Sequence, residues 1–213
     1  MLAKLELDHL VVVAPNLEQG VEHVYEALGV RMPVGGRHPF MGTHNHVMQL
    51  GPEAFLEVIA IDPQATAPTH PRWFGLDDFA GDVPQLGLWV ARANSISLVK
   101  PHIPVDHRRF IPMSRPTADG LLEWEISVAE NGRLPFEGAY PTILEWPEGK
   151  TPIHQMANLG CGLASFEIAH PQADEISAHL KPVFEDERVK VVQADDKKLS
   201  AVIMTPTGPK NLT

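Results

Sequence analysis

The segment Leu5-Glu6-Leu7-Asp8-His9-Leu10-Val11-Val12-Val13-Ala14-Pro15-Asn16 decides how the rest of the chain is read. Leucine and valine fill it on both alternate faces, the pattern of a strand buried on both sides. Strict alternation places Leu5, Leu7, Val11 and Val13 on one face with His9 among them, and Leu10 and Val12 on the other. Pro15 stops the strand. Asn16 then offers a helix N-cap, with Gln19 three residues later as its capping-box partner. Leu17, Val21, Val24, Tyr25 and Leu28 recur at helical spacing, and Gly29 closes the helix.

Working outward, residues 31–38, 43–50 and 54–61 read as three further strands, with Gly51-Pro52 as a turn between the last two. The order is β-α-β-β-β. A breaker-rich connection over residues 63–84 follows. Residues 85–91 then form a strand, Asn94 caps a short helix, and residues 120–129 and 141–146 add strands. A third start comes at residues 162–169, with a helix through Ile176, Leu180 and Val183 and strands at 189–192 and 199–204. The expected fold class is α+β, with repeated βαβββ modules forming curled mixed sheets. The expected division is a first module over 1–62, a connector over 63–84, a degenerate second module over 85–146, and a C-terminal partial module over 147–213 packed on the same unit.

Composition removes several alternatives. A formal charge of −10 argues against a nucleic-acid partner. With 20 Pro and 16 Gly the chain is not a helical bundle. The single Cys161 excludes a disulfide framework and a cysteine zinc cluster. No apolar run reaches the ~20 residues of a membrane span, and the acidic start lacks a secretory pattern. The expectation is a cytoplasmic protein with a small-molecule partner and no membrane contact. Half-cup modules expose sheet edges, so a homodimer is a further expectation.

Eleven histidines, eight of them within the first 107 residues, direct attention to the first half. Glu57 sits in the apolar run Phe55-Leu56-Glu57-Val58-Ile59, where a carboxylate needs a partner. It is either a ligand or catalytic group, or a Glu paired with an Arg or facing a wet groove. His9 is likewise a ligand or a structural hydrogen-bonder. Together, one His and one Glu on separate buried strands match the donor set of Zn²⁺, Fe²⁺, Mn²⁺ or Ni²⁺.

The segment 35–49 supplies Arg37, His38, Thr43, His44, Asn45 and His46. An even loop before the next strand turns His44 and His46 toward Glu57; an odd loop turns Thr43 and Asn45 there. Glu145 repeats the setting of Glu57, and Trp124 and Trp146 are core or pocket wall.

Several of these motifs resemble the glyoxalase-like subgroup of the vicinal-oxygen-chelate superfamily. They are Leu7-Asp8-His9-Leu10-Val11-Val12, Phe55-Leu56-Glu57-Val58-Ile59, Gly36-Arg37-His38-Pro39-Phe40-Met41-Gly42-Thr43-His44-Asn45, Leu122-Glu123-Trp124 and Pro141-Thr142-Ile143-Leu144-Glu145-Trp146. The resemblance implies paired modules curled into a cup around a divalent metal ion (Zn, Ni, Mn or Fe). The metal donors would be His9, His38, Glu57 and Glu145. Glu57 or Glu145 would act as catalytic base, and Arg37, Thr43, Asn45 and Trp146 would bind substrate. One family position is not met: Gly87 and Ser165 stand where the later modules should repeat His9.

The implied activity is a metal-dependent lyase, isomerase or dioxygenase that chelates two neighbouring oxygens of a small metabolite. The alternative is a metal-free binding or sequestering protein of the same fold. A cupin built on His44 and His46 is disfavoured, because Gln49 stands where its Glu belongs and that fold has no place for the helix after Asn16.

Overall fold

Strand β1 (Leu5–Val13) lies near the middle of an eight-stranded mixed sheet, and the other strands of that sheet are placed by what they pair with. The computed structural model describes residues 2–79, 81–117, 120–147 and 150–213. Helix α1 (Leu17–Leu28) follows β1, with the Gln19 N–H donated to Asn16 Oδ1 at 2.9 Å and Gly29 as its left-handed C-cap. Strands β2 (Val34–His38), β3 (Thr43–Gln49) and β4 (Phe55–Ile61) form an antiparallel meander, and β4 returns parallel to β1.

The second half uses the same order: β5 (Gln85–Ala93), the one-turn helix α2 (Ile96–Val99), β6 (Phe110–Thr117), β7 (Gly120–Ser127) and β8 (Thr142–Glu145), with β8 parallel to β5. Antiparallel pairing of β1 with β5 joins the halves, giving the order β2-β3-β4-β1-β5-β8-β7-β6. The sheet curls until its two edge strands approach, and the Arg115 guanidinium of β6 lies against Gly36 of β2. The concave face carries Val11, Val13, Ile59, Leu88, Trp124 and Leu144.

The remaining elements cover the convex face. Strands β9 (Gly162–His170), β10 (Val189–Gln193), β11 (Lys198–Thr205) and β12 (Gly208–Leu212) form a second sheet in the order β10-β9-β11-β12, with α3 (Ala173–Leu180) between β9 and β10. Here β10 pairs directly with β9, so this sheet does not repeat the order of the first two modules. It shares one core with the large sheet: Leu10, Val12 and Trp89 pack with Phe166, Ile168 and Ile203. Trp89 meets Phe166 edge-on at 5.9 Å and donates its indole N–H to the Ala139 carbonyl at 2.9 Å. No helix among the described residues is long and apolar enough to cross a membrane.

Four local features depart from the sequence expectation. The first is a β-bulge in β1. Leu7 faces Ala91 but His9 faces Val90, so Asp8 is an extra residue against β5. Leu5 and Leu7 therefore join Leu10 and Val12 in the convex-side core, while His9, Val11 and Val13 face the cup. The second is β6, a strand absent from the sequence expectation, which contains Pro112 and Pro116. Both are tolerated because β6 is an edge strand, where missing N–H groups break no ladder. The third is β12, a short strand with Pro209, also at an edge. The fourth is Asn94, which caps no helix. It accepts the Lys4 N–H and donates to the Leu2 carbonyl, and Ser95 precedes α2 instead.

Helix α1 sits close to the sheet because Gly20 has no side chain. A Cβ there collides with Val58 Cγ1 and stands 2.8 Å from Ala14 Cβ. Replacing an interior helical glycine by alanine gains up to about 1 kcal/mol of helix propensity, whereas overpacking a filled core costs about 1–3 kcal/mol. Val58 and Ala14 are both fully packed, so the second effect wins. Gly20→Ala is expected to lower the denaturant midpoint with an unchanged m-value; a raised midpoint would show that α1 shifts freely.

Candidate active site

The bulge and the odd loop together build the site. Five residues, 50–54, separate β3 from β4, and Val47 pairs with Glu57, so Asn45 and Thr43 share the concave face of Glu57. His44 and His46 point the other way, and the His46 ring bonds to the Met32 carbonyl. The bulge brings Asp8 and His9 together on the cup side of β1.

The result is a buried hydrogen-bonded chain. His9 Nδ1 lies 2.6 Å from Asp8 Oδ1, and His9 Nε2 lies 3.4 Å from Glu57 Oε2. Asn45 Nδ2 donates to Glu57 Oε1 at 2.5 Å, and the Gly36 N–H donates to Asn45 Oδ1 at 2.7 Å, which fixes the amide orientation. The other Asp8 oxygen accepts the Trp146 indole N–H at 2.9 Å and lies 3.8 Å from Arg92 Nη1. The His9 ring stacks on Phe55 with centroids 4.1 Å apart.

Burial pulls the His9 imidazolium pKa down, but hydrogen bonds to Asp8 and Glu57 and their charges outweigh it and raise the value to about 9. At neutral pH His9 is thus a cation, hydrogen-bonded to Asp8 through Nδ1 and ion-paired with Glu57 at 3.4 Å through Nε2. Burial pushes the Glu57 carboxyl up, and its contacts with the charged His9 and with the Asn45 amide bring it net below the usual carboxylate range. His38 behaves oppositely: burial takes its pKa down to about 4, so it is a neutral imidazole with Nδ1 3.0 Å from Thr43 Oγ1.

These groups line a cavity of about 40 Å³ walled by Trp73, Phe74, Trp124 and Trp146, with Arg115 at its rim. Phe74 holds a left-handed backbone conformation (φ 61°), a strained geometry for a bulky residue.

The family model for a glyoxalase-like domain matches residues 7–184. The chain belongs to the glyoxalase-like family. Its solved structural neighbours include a hypothetical protein from Staphylococcus aureus, 12% identical with a TM-score of 0.62, over 91% of this chain and 88% of that one. They also include methylmalonyl-CoA epimerase from Mycobacterium tuberculosis, 12% identical with a TM-score of 0.41, over 66% and 85% of the two chains. At such identity the Staphylococcus protein speaks for the fold alone. Among curated proteins none matches.

In this glyoxalase-like cup the expected site residues separate into two groups. His9, His38, Asn45, Glu57 and Trp146 line the cavity, and Thr43 holds His38 from behind. Glu145 does not reach it. Leu144 and Trp146 face the cup, so the alternation of β8 sends Glu145 to the other side, where Oε2 accepts the Ile96 N–H at 2.6 Å. Arg37 also faces away and pairs with Asp62 at 3.1 Å. Sequence reading missed Asp8, Arg115, Trp73 and Phe74. Asp8 had a signal, since it is an ionisable group directly beside His9 in the apolar run of β1.

The glyoxalase-like donor set is incomplete for a resident metal ion. The 3.4 Å between His9 Nε2 and Glu57 Oε2 suits two donors on one ion. No group of three His, Cys, Asp or Glu residues that could hold a metal is found among the described residues. A catalytic zinc site uses three protein ligands. His38 contacts Thr43 through Nδ1 alone and so keeps Nε2 toward the cavity, but Glu145 faces away, and the second module offers Leu88, Leu144 and Trp146 to the cup.

The His9 array has a pH signature. Unfolded His9 titrates near 6.5 and folded His9 at about 9, so its stabilisation is complete below pH 6.5 and lost as pH rises through 9. Melting temperature should fall between pH 7 and 10, and His9→Gln should flatten that fall. An NMR titration placing the folded imidazole below pH 7 would overturn the array as described.

Proposed function

We propose that the protein is an enzyme of acid–base type that moves a proton on carbon beside a carbonyl in a small, oxygen-rich anion. The observation that carries this reading is the buried Asp8–His9–Glu57 chain facing an apolar cavity. Glu57 is ionised and is the base. The C–H bond breaks, its electron pair forms the enolate double bond, the carbonyl pair moves onto oxygen, and the proton goes to a Glu57 oxygen.

A carboxylate with a lowered pKa is a weak base for carbon acids. The His9 imidazolium offsets this by stabilising negative charge on the enolate oxygen in a water-poor cup. Asp8 keeps His9 protonated and oriented, and Asn45 positions the Glu57 carboxylate. Returning the proton to the same carbon gives an epimerase and to another carbon an isomerase; expelling a neighbouring group gives a lyase.

Deuterium exchange at carbon 3 of short 2-oxo acids, followed by proton NMR, tests this. Glu57→Gln should slow exchange about 10²- to 10⁴-fold, and a chelator should leave the wild-type rate unchanged. A divalent ion bound one-to-one and lost in Glu57→Gln would instead support the metal-dependent enzyme that the family resemblance implies. Stabilisation by the acids with no exchange would support a binding protein whose tryptophan walls hold the ligand unchanged.

A further inference from the structure

The cup is too small to be the whole ligand site. At about 40 Å³ it admits only a few water-sized groups. Outside the gap between β2 and β6 lies an open groove of about 670 Å³, and Val47, Arg115, Pro152 and Met156 line both spaces. The outer walls add Pro33, Val34 and Pro116, so the groove is apolar where it leaves the cup. Val34, on the edge strand β2, is 80% exposed.

Arg115 stands at the junction, and its bonding is unlike that of the other arginines. The chain has nine. Six form ion pairs: Arg31, Arg37, Arg72, Arg92, Arg133 and Arg188. Arg108 and Arg109 donate to backbone carbonyls. Among the described residues Arg115 makes neither kind of bond. Its guanidinium lies against Gly36, where any Cβ would collide with Nη1. A half-buried guanidinium ordinarily has a carboxylate or carbonyl partner, and the bare backbone of Gly36 keeps this one aimed at the junction.

We propose that cup and groove together bind a medium-chain 2-oxo carboxylic acid. The carboxylate pairs with Arg115, the oxo oxygen enters the cup, and the apolar chain lies along Pro33, Val34 and Pro116. This rests on the proton-transfer reading only in that the head group reaches Glu57.

Calorimetric titration of the full chain with 2-oxobutanoate, 2-oxohexanoate and 2-oxodecanoate tests it, with the 2-oxodecanoate amide as the uncharged control. A fully buried methylene contributes ~0.8 kcal/mol, about fourfold in affinity, so a half-open groove should give about twofold per methylene. Arg115→Met should weaken all three acids at least tenfold and abolish the preference for acid over amide. Val34→Asp should flatten the rise with chain length. Equal affinity across the series, or no preference for acid over amide in the wild type, would overturn the proposal. Exchange read on the same samples separates the two readings. A chain-length rise without exchange sinks proton transfer alone, and exchange without the rise sinks the groove alone.

Discussion

Glu57 is a carboxylate on a strand whose neighbours are leucine, valine and isoleucine, and the cost of burying its charge governs what surrounds it. The charge is answered by the His9 imidazolium, His9 by Asp8, and Asp8 by the Trp146 indole and Arg92. Each contact offsets the desolvation of the next group. Removing one partner from such a buried set costs about 3–5 kcal/mol, because a bare charge is left behind. The chain passes through β1, β4, β5 and the residue after β8, so it ties together strands from both halves of the large sheet.

Much of this was legible in the sequence, and the failures have physical causes. Helix α1 was readable because Asn16, its apolar spacing and Gly29 are all local signals. Strands β3 and β4 were readable for the same reason. His9 and Glu57 stood out because ionisable groups in apolar runs need partners. The bulge at Asp8 was not readable, since it is a mismatch between β1 and a strand some 80 residues away. The parity choice between His44 and Asn45 turned on loop length, which only the fold supplies. Glu145 misled by analogy: it shares the local sequence setting of Glu57 but not its face.

The two modules have the same strand order and different jobs. The first contributes every ionisable member of the Glu57 chain except Arg92 of β5, together with Asn45 and neutral His38. The second contributes Trp124, Trp146 and Leu144 as walls, and Arg115 at the rim. Backbone repetition therefore did not carry chemical repetition with it. The second sheet supplies no cavity-lining residue and instead shields the convex side of β1 and β5, through Trp89 and Phe166.

The unpaired meeting of β2 and β6 bears on how the molecule breathes. Elsewhere around the large sheet, neighbouring strands are locked by backbone ladders, and widening the cup there would break several hydrogen bonds at once. Across the gap between the two edge strands no ladder runs among the described residues, and the Arg115 guanidinium meets the bare backbone of Gly36. Parting β2 from β6 would therefore break no ladder bond, so an opening there would be an excursion of an intact fold and not a local unfolding event.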